Sequence, residues 1–419
     1  MTTCLSSPET ILKEVEGSND TVPPQLDAIE VALLTGGFDR PYAFGLAMTL
    51  AAEGVCLEVI GSDEIDSPEM HTTPGLTFLN LQGDKQPNVS LAEKASRLLL
   101  CYARLIHYAA TAKPKIFHIL WNTKFLLLDR TLLMLYYKLC GKKIVLTVHN
   151  VNAGKRDGND SWLNRLTLRI QYQLADHLFV HTEKMKSELR QDFGVGEQAI
   201  SVIPFGINNS VPNTDLTPAE AKRRLGIRQT EKTILFFGAI RPYKGLEYLS
   251  DAFRRLAPGN PDYRLIIAGE PKKECEKYMS DIQQGIANDP CAERVIQKIH
   301  HIPDEETEFY FKAADVLVLP YTHVFQSGVL FLAYSFGLPV VATDVGSIQE
   351  EVIENRTGFL CRPCDADDLA RVIEKYFASD LFKSLASRRQ DIRDYANAGH
   401  SWDVVGEITK NVYAELSGR

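Results

Sequence analysis

No apolar, uncharged run in this 419-residue chain is long enough to cross a bilayer, so no membrane-spanning helix is expected. The first residues lack a basic leader followed by an apolar core, and no signal peptide is expected. A disulfide framework is missing too. The eight cysteines are scattered, with a single CxxC at Cys361 and Cys364, which fits a reducing compartment and offers no zinc ligand set. Positive charge is not in excess: the formal net charge of -8 gives no bulk attraction to nucleic acid or anionic lipid. The first glycine loop, Thr35-Gly36-Gly37-Phe38, lacks the three-glycine spacing of a dinucleotide site. No metal and no cofactor are expected.

What is present is ordinary globular composition, 45% hydrophobic and 24% charged, in a chain long enough for two cores. Short apolar runs at 29–34, 55–60, 116–120, 144–148, 178–180 and 200–203 read as strands. Helical patterns separate several of them, such as the stripe Leu163, Leu166, Ile170 and Leu174. A stretch rich in Asn, Pro and Thr at 208–217 reads as a linker, and the pattern then restarts with strands at 233–237, 264–268, 295–299, 316–319 and 339–342. Strands spaced by helices imply parallel sheets covered on both faces. The expectation is therefore two doubly wound, Rossmann-like α/β domains facing across a cleft. Residues 1–28 form an irregular lead-in, 29–207 the first domain and 218–400 the second. A final helix at 401–419 places Val405, Ile408, Val412 and Leu416 on one side.

The chemistry concentrates at strand ends. The phrase Phe236 to Gly245, FFGAIRPYKG, sets Gly238, Arg241, Lys244 and Gly245 between a buried strand and an amphipathic helix. Two cations at a helix N-terminus suit a diphosphate: backbone N–H donors, the positive helix end, a planar guanidinium fork and a mobile ammonium. Gln326, Ser327 and Gly328 precede another apolar helix, where Gln326 could hold a ribose or sugar oxygen and Ser327 a phosphate oxygen, or Ser327 could simply cap the helix. In the first half, Gly36 and Gly37 follow the first strand, which a tight turn alone would explain. His149 ends another strand and could donate to a sugar hydroxyl or steady developing charge. After it, Lys155, Arg156 and Asp157 lie in a glycine-punctuated loop that could meet an acceptor. Leu126 to Leu139 is unusually apolar, with Lys124, Arg130, Lys138, Lys142 and Lys143 around it. A buried helix and a membrane-touching surface both account for it.

Together these phrases resemble the large retaining glycosyltransferase family 4, whose members have the two-domain GT-B architecture, over about residues 29–416. GAIRPYKG resembles its donor-diphosphate motif, 265–269 its next strand and glycine turn, and 314–320 with 337–346 its donor-site signature; Asn355, Thr357, Gly358 and Phe359 match the turn that follows. The resemblance implies transfer of a sugar from a nucleotide-sugar to a glycan or lipid-linked saccharide, with retention of configuration and without a metal. Gly36, Gly37, Gly238, Gln326, Ser327 and Gly328 would then line the donor, Arg241 and Lys244 would steady the leaving diphosphate, and His149 would orient the sugar. It also implies a cytoplasmic enzyme, with contact to the inner face of a membrane left open by the apolar segment. One departure stands out. The family's two glutamates, eight residues apart, are replaced by Val324 and Leu332. That substitution motivates a competing reading, a non-catalytic nucleotide-sugar or partner-binding protein, and a sugar-nucleotide epimerase of the same architecture is a second. Glu350 and Glu351 lie in the following segment and do not stand at either place.

Overall fold

The computed structural model describes residues 29–37, 39–83, 90–156, 158, 160–207 and 211–418. The lead-in at 1–28 and the first residues of the linker, 208–210, lie outside the described residues. Among the described residues the first sheet contains β1 (Glu30–Leu34), β2 (Cys56–Gly61), β3 (Leu76–Asn80), β4 (Ile116–Ile119), β5 (Lys143–Thr147), β6 (His177–Val180) and β7 (Ile200–Val202). Their spatial order is β3-β2-β1-β4-β5-β6-β7, all parallel. The second sheet holds β8 (Lys232–Phe237), β9 (Tyr263–Ala268), β10 (Val295–Lys298), β11 (Val316–Leu319), β12 (Val340–Thr343) and β13 (Gly358–Cys361). Its order is β10-β9-β8-β11-β12-β13, again parallel.

Central strands are apolar on both faces because helices cover both. Val31, Ala32 and Leu33 are fully buried, as are Ile234, Leu235 and Val316 to Val318. Each such side chain contributes about 1.5–3 kcal/mol of burial. In both sheets the strand order reverses beside the first strand, between β1 and β4 and between β8 and β11. Ligands bind parallel sheets at such points, outside the carboxyl ends of the strands.

The remaining linker residues lead into the helix Pro218–Arg224, whose start carries a reciprocal cap between Thr217 and Glu220. The last helix, Trp402–Leu416, packs on the first-sheet helix Arg40–Ala52: Thr49 Oγ1 donates to Trp402 O at 3.2 Å, and Lys410 pairs with Glu53 at 3.1 Å. Val405 and Val412 are buried there, with Ile408 and Leu416 packed alongside. The apolar segment turns some of its side chains inward and leaves others exposed. Asp129–Leu133 forms a π-helical turn, and Leu133, Met134 and Tyr137 point inward. Phe125, Leu126, Leu127, Leu132, Leu135 and Leu139 stay exposed, so a wholly buried helix is ruled out for this segment.

Candidate active site

The second-sheet wall is built by the turns after β8, β11 and β12. After β8 the chain does not pass straight into a helix. A short 3-10 turn, Pro242–Lys244, intervenes, and the helix Leu246–Leu256 starts from Gly245 in a left-handed conformation. This turn folds Lys244 inward until it is 8% exposed. Gly238 makes room for it: a Cβ there would lie 3.2 Å from Lys244 Nζ. The ammonium stands 5.7 Å from the centroid of the Tyr321 ring, and among the described residues no carboxylate pairs with it. Burial, and then the nearby Arg241 charge, bring the Lys244 ammonium down to about 8. Arg241, at the cap of the same turn, is half-buried. Two neighbouring cations with no carboxylate paired to them among the described residues form a site that favours an anion.

Gln326, Ser327 and Gly328 stand where the helix Gly328–Ser335 begins. Ser327 makes no cap hydrogen bond; its hydroxyl lies 3.2 Å from Tyr321 Oη, so ordinary capping does not account for it. Gln326 Nε2 donates to Glu351 Oε1 at 3.3 Å, and Glu351 Oε2 is 3.1 Å from His400 Nε2. Gln326 Oε1 is buried and has no hydrogen-bond partner among the described residues. Glu351 therefore does enter the wall, by way of Gln326, which sequence spacing did not reveal. Val324 and Leu332 are both buried apolar side chains.

The first-sheet wall is formed by residues that follow β1, β4, β5 and β6. Gly36 has φ 63°, and a Cβ there would come 2.7 Å from Trp121 O, so the glycine permits a close approach of two strand ends. Trp121 stacks on His149 with ring centroids 4.2 Å apart and planes 2° from parallel. The edge of Tyr42 meets the same imidazole at 4.7 Å. His149 Nδ1 lies 3.1 Å from His181 Nε2, and His181 Nδ1 lies 3.3 Å from Ile203 O. A carbonyl only accepts, so the His181 proton sits on Nδ1. Burial holds His181 at about 4 and His149 well below the usual histidine range, with neighbouring histidines adding to both, so both rings are neutral. It follows that His149 Nδ1–H donates to His181 and that His149 Nε2, buried and without a partner, carries a lone pair. With this tautomer the free nitrogen of His149 is an acceptor, where the sequence suggested a donor to a sugar hydroxyl.

Lys155 is exposed on the short helix Ala153–Arg156 and lines a crevice of about 230 Å³ with Lys184, Glu188, His323, Val324 and Ser347. The crevice lies between the walls. Lys184 Nζ donates to Gly346 O at 2.8 Å, Thr182 and Ser347 hydroxyls meet at 2.9 Å, and Phe205 stacks on Phe331 at 5.4 Å. Asp157 lies outside the described residues, as does the side chain of Arg156. Trp121, His181, Thr182 and Lys184 were not singled out in the sequence. The available signal was positional: each sits just after the carboxyl end of a strand. Among the described residues no group of three or more His, Cys, Asp or Glu is arranged to hold a metal.

Comparison with known proteins matches two family models, Glycosyltransferase Family 4 over residues 41–211 and Glycosyl transferases group 1 over residues 219–398. A curated D-inositol 3-phosphate glycosyltransferase of Corynebacterium aurimucosum is 26% identical over 270 residues, covering 64% of this chain and 63% of that protein. An uncharacterized glycosyltransferase of Methanocaldococcus jannaschii is 24% identical over 295 residues, 67% of this chain and 72% of that one. Among solved structures, the sucrose-phosphate synthase of Thermosynechococcus elongatus superposes with a TM-score of 0.74 at 21% identity, over 93% of this chain and 99% of that one. Anabaena HepE in complex with UDP gives 0.71 at 15% identity, over 92% and 99%. These structural likenesses establish the fold.

Proposed function

We propose, from the premise that this chain is a glycosyltransferase of GT-B fold related to the group 1 and family 4 sequences, that it moves a sugar from a nucleotide-sugar to a glycan or lipid-linked saccharide acceptor with retention of configuration. The observation that carries the reading is the buried, counter-charge-free Lys244 beside Arg241 at the carboxyl edge of β8. A diphosphate supplies the missing negative charge. The donor's glycosidic C–O bond breaks, the diphosphate leaves with the electron pair, and the two cations stabilise it as charge develops. The acceptor oxygen bonds to the anomeric carbon from the same face, and its proton passes to the departing phosphate oxygen. His149, accepting through Nε2, orients a sugar hydroxyl. Gln326 Oε1 and the Gly36–Gly37 turn complete the donor's surroundings, while Lys155 faces the acceptor side. A uridine nucleotide is the first donor to test, because HepE, of the same fold, was solved with UDP and with UDP-glucose.

The exposed apolar face supports peripheral contact with a membrane. Leu99 and Ile106 of the helix Leu91–Thr111, Leu132 and Leu139, and Trp162 and Leu163 of the helix Trp162–Leu174 belong to elements on one side of the first sheet. Large exposed apolar side chains gathered on one side of a sheet mark an interaction surface. Among the described residues no helix is long and apolar enough to cross a membrane, so the contact would be interfacial.

The test is mass spectrometry of the protein with UDP-, GDP-, ADP- and dTDP-sugars, each with saccharide, inositol phosphate and lipid-linked acceptors. Donor loss matched by one sugar mass gained on an acceptor, with the anomeric configuration kept by NMR, is the expected result. Donor binding with no turnover across the panel would favour the binding-protein reading, and a donor isomerised at constant mass would favour the epimerase.

A further inference from the structure

The π-helical turn Asp129–Leu133 places two buried charged side chains in succession, and such insertions into α-helical segments recur at functional sites. Arg130 turns toward Asn164, to which Nη1 donates at 2.9 Å. Asp129 turns the other way, into a crevice beneath the Gly36 turn and Trp121. Tyr102 Oη donates to Asp129 Oδ1 at 2.8 Å and itself accepts from the Phe125 amide at 3.0 Å, which fixes the carboxylate. Its second oxygen, Oδ2, is buried and, among the described residues, has no partner within hydrogen-bond geometry, although Asp129 is only 4% exposed. Two further unpartnered buried atoms belong to residues lining the same crevice, Gln82 Oε1 and Tyr137 Oη. Burial raises the Asp129 carboxyl to about 6, outweighing the Tyr102 hydroxyl, the Thr123 and Lys124 amides and the Arg130 charge, which lower it.

Buried polar atoms tend to be satisfied in a folded protein, and three residues that line this one space each carry such an atom, so a single hydrogen-bonding guest would serve all three. Two of them, the carboxylate oxygen and the amide oxygen, can only accept, and the phenol can do either. The missing group must therefore donate hydrogen bonds and carry no negative charge. The crevice has a volume of about 20 Å³, room for one or two hydroxyl-sized groups and not for a ring. Trp121 and Asn122 line both this crevice and the neighbouring one that contains His149.

We propose that Asp129, Tyr137 and Gln82 form a subsite that receives one hydroxyl-bearing arm of a polyol acceptor, a short distance from the sugar held at His149. Identifying this polyol as the acceptor rests on the transferase reading; the subsite itself does not. The subsite selects neutral hydroxyl-rich acceptors and rejects a carboxylate or phosphate at that arm.

The experiment uses the full chain and two probes, myo-inositol and glycerol, with binding followed by saturation-transfer NMR. Tyr137→Phe removes only an oxygen that has no partner, so its thermal midpoint should equal or exceed that of the starting protein. Its dissociation constant for both probes should rise at least ten-fold, and Asp129→Asn should do the same. UDP binding to each protein is measured in parallel. Polyol binding lost in both variants while UDP still binds is the expected result. Undiminished polyol affinity in Tyr137→Phe and Asp129→Asn, or no polyol binding by the unaltered chain, would overturn the subsite and leave a water-filled structural cavity. Polyol binding without any UDP binding would instead count against the transferase reading and leave the subsite standing.

Discussion

Replacing Lys244 by methionine should make the protein more stable and a far poorer enzyme, and the structure gives the size of both effects. The lysine is buried, no carboxylate among the described residues pairs with it, and Arg241 stands nearby. Its proton affinity falls from the ordinary 10.5 to about 8. A shift of that size makes the protonated folded state less stable by on the order of 3 kcal/mol. Methionine keeps most of the aliphatic stem and removes the charge, so at pH 7 the thermal midpoint should rise by several degrees. The sign can be checked with pH. Between about 8 and 10.5 the folded protein binds fewer protons than the unfolded chain, so its stability climbs as pH rises through that window. The methionine variant lacks that climb, and the two stability curves should converge near the upper end. Activity should move the other way. Losing one member of a buried charge pair costs about 2–5 kcal/mol, or roughly 30- to 5,000-fold in kcat/KM for the donor. In the unaltered protein kcat/KM should fall above about pH 8 as the free enzyme's lysine loses its proton, and Lys244→Arg should remove that fall. Denaturation across pH and release of UDP from a UDP-sugar supply the two readouts. A methionine variant that is less stable at pH 7, or that keeps its donor kcat/KM, would refute the reasoning.

Arg241→Ala should cut kcat/KM about 10²–10³-fold, as loss of a transition-state donor does, while a denaturant midpoint barely moves because the residue is half-buried at an open edge. Gly36→Ala forces a Cβ to within 2.7 Å of Trp121 O at a left-handed position. It should cost about 1–3 kcal/mol by calorimetry and slow turnover by displacing the ring under His149. Leu132→Asp with Leu139→Asp, both on the exposed apolar face, should abolish co-sedimentation with anionic lipid vesicles and leave the melting temperature unchanged within a degree or so. Retained vesicle binding would remove the membrane contact.

The central strands were legible because burial on both faces writes a continuous apolar run, as in Val31 to Leu34 and Val316 to Leu319. The edge strands β3 and β13 were not. Leu76–Asn80 is buried only at its first residue and half or fully exposed after it, so it shows no run to detect. Gly358–Cys361 opens with a glycine just after Asn355 and Thr357, which reads as a turn in isolation. The same logic divides the site. Arg241 and Lys244 were legible because one turn presents both, but the buried state of Lys244 depends on a 3-10 turn that the phrase PYK does not announce. The His149–His181 pair was not legible, because the two residues are brought together only by the adjacency of β5 and β6.

Positions 324 and 332, where the resemblance led to glutamates, take a structural meaning once the second wall is seen. A carboxylate at position 324 or 332 would stand where Val324 and Leu332 are now buried among apolar neighbours. A carboxylate at this wall is Glu351, which touches Gln326 on one side and His400 on the other. Because a carboxylate only accepts, the contact orients the glutamine: its amide nitrogen faces Glu351, and its oxygen, Oε1, is the atom left without a partner. On the proposed reading the donor therefore meets a neutral acceptor at this wall in place of a charged one. A ribose hydroxyl can donate to an amide oxygen as it would to a carboxylate, and the neutral group does not repel the diphosphate held by Arg241 and Lys244. Glu351→Gln tests the division of labour. If the carboxylate only orients Gln326, a variant that still accepts from Nε2 through its own amide oxygen should lose at most a few-fold in donor KM, whereas Gln326→Leu should lose on the order of ten-fold. A larger loss in Glu351→Gln than in Gln326→Leu would show that the charge itself, and not the orientation it imposes, serves the donor.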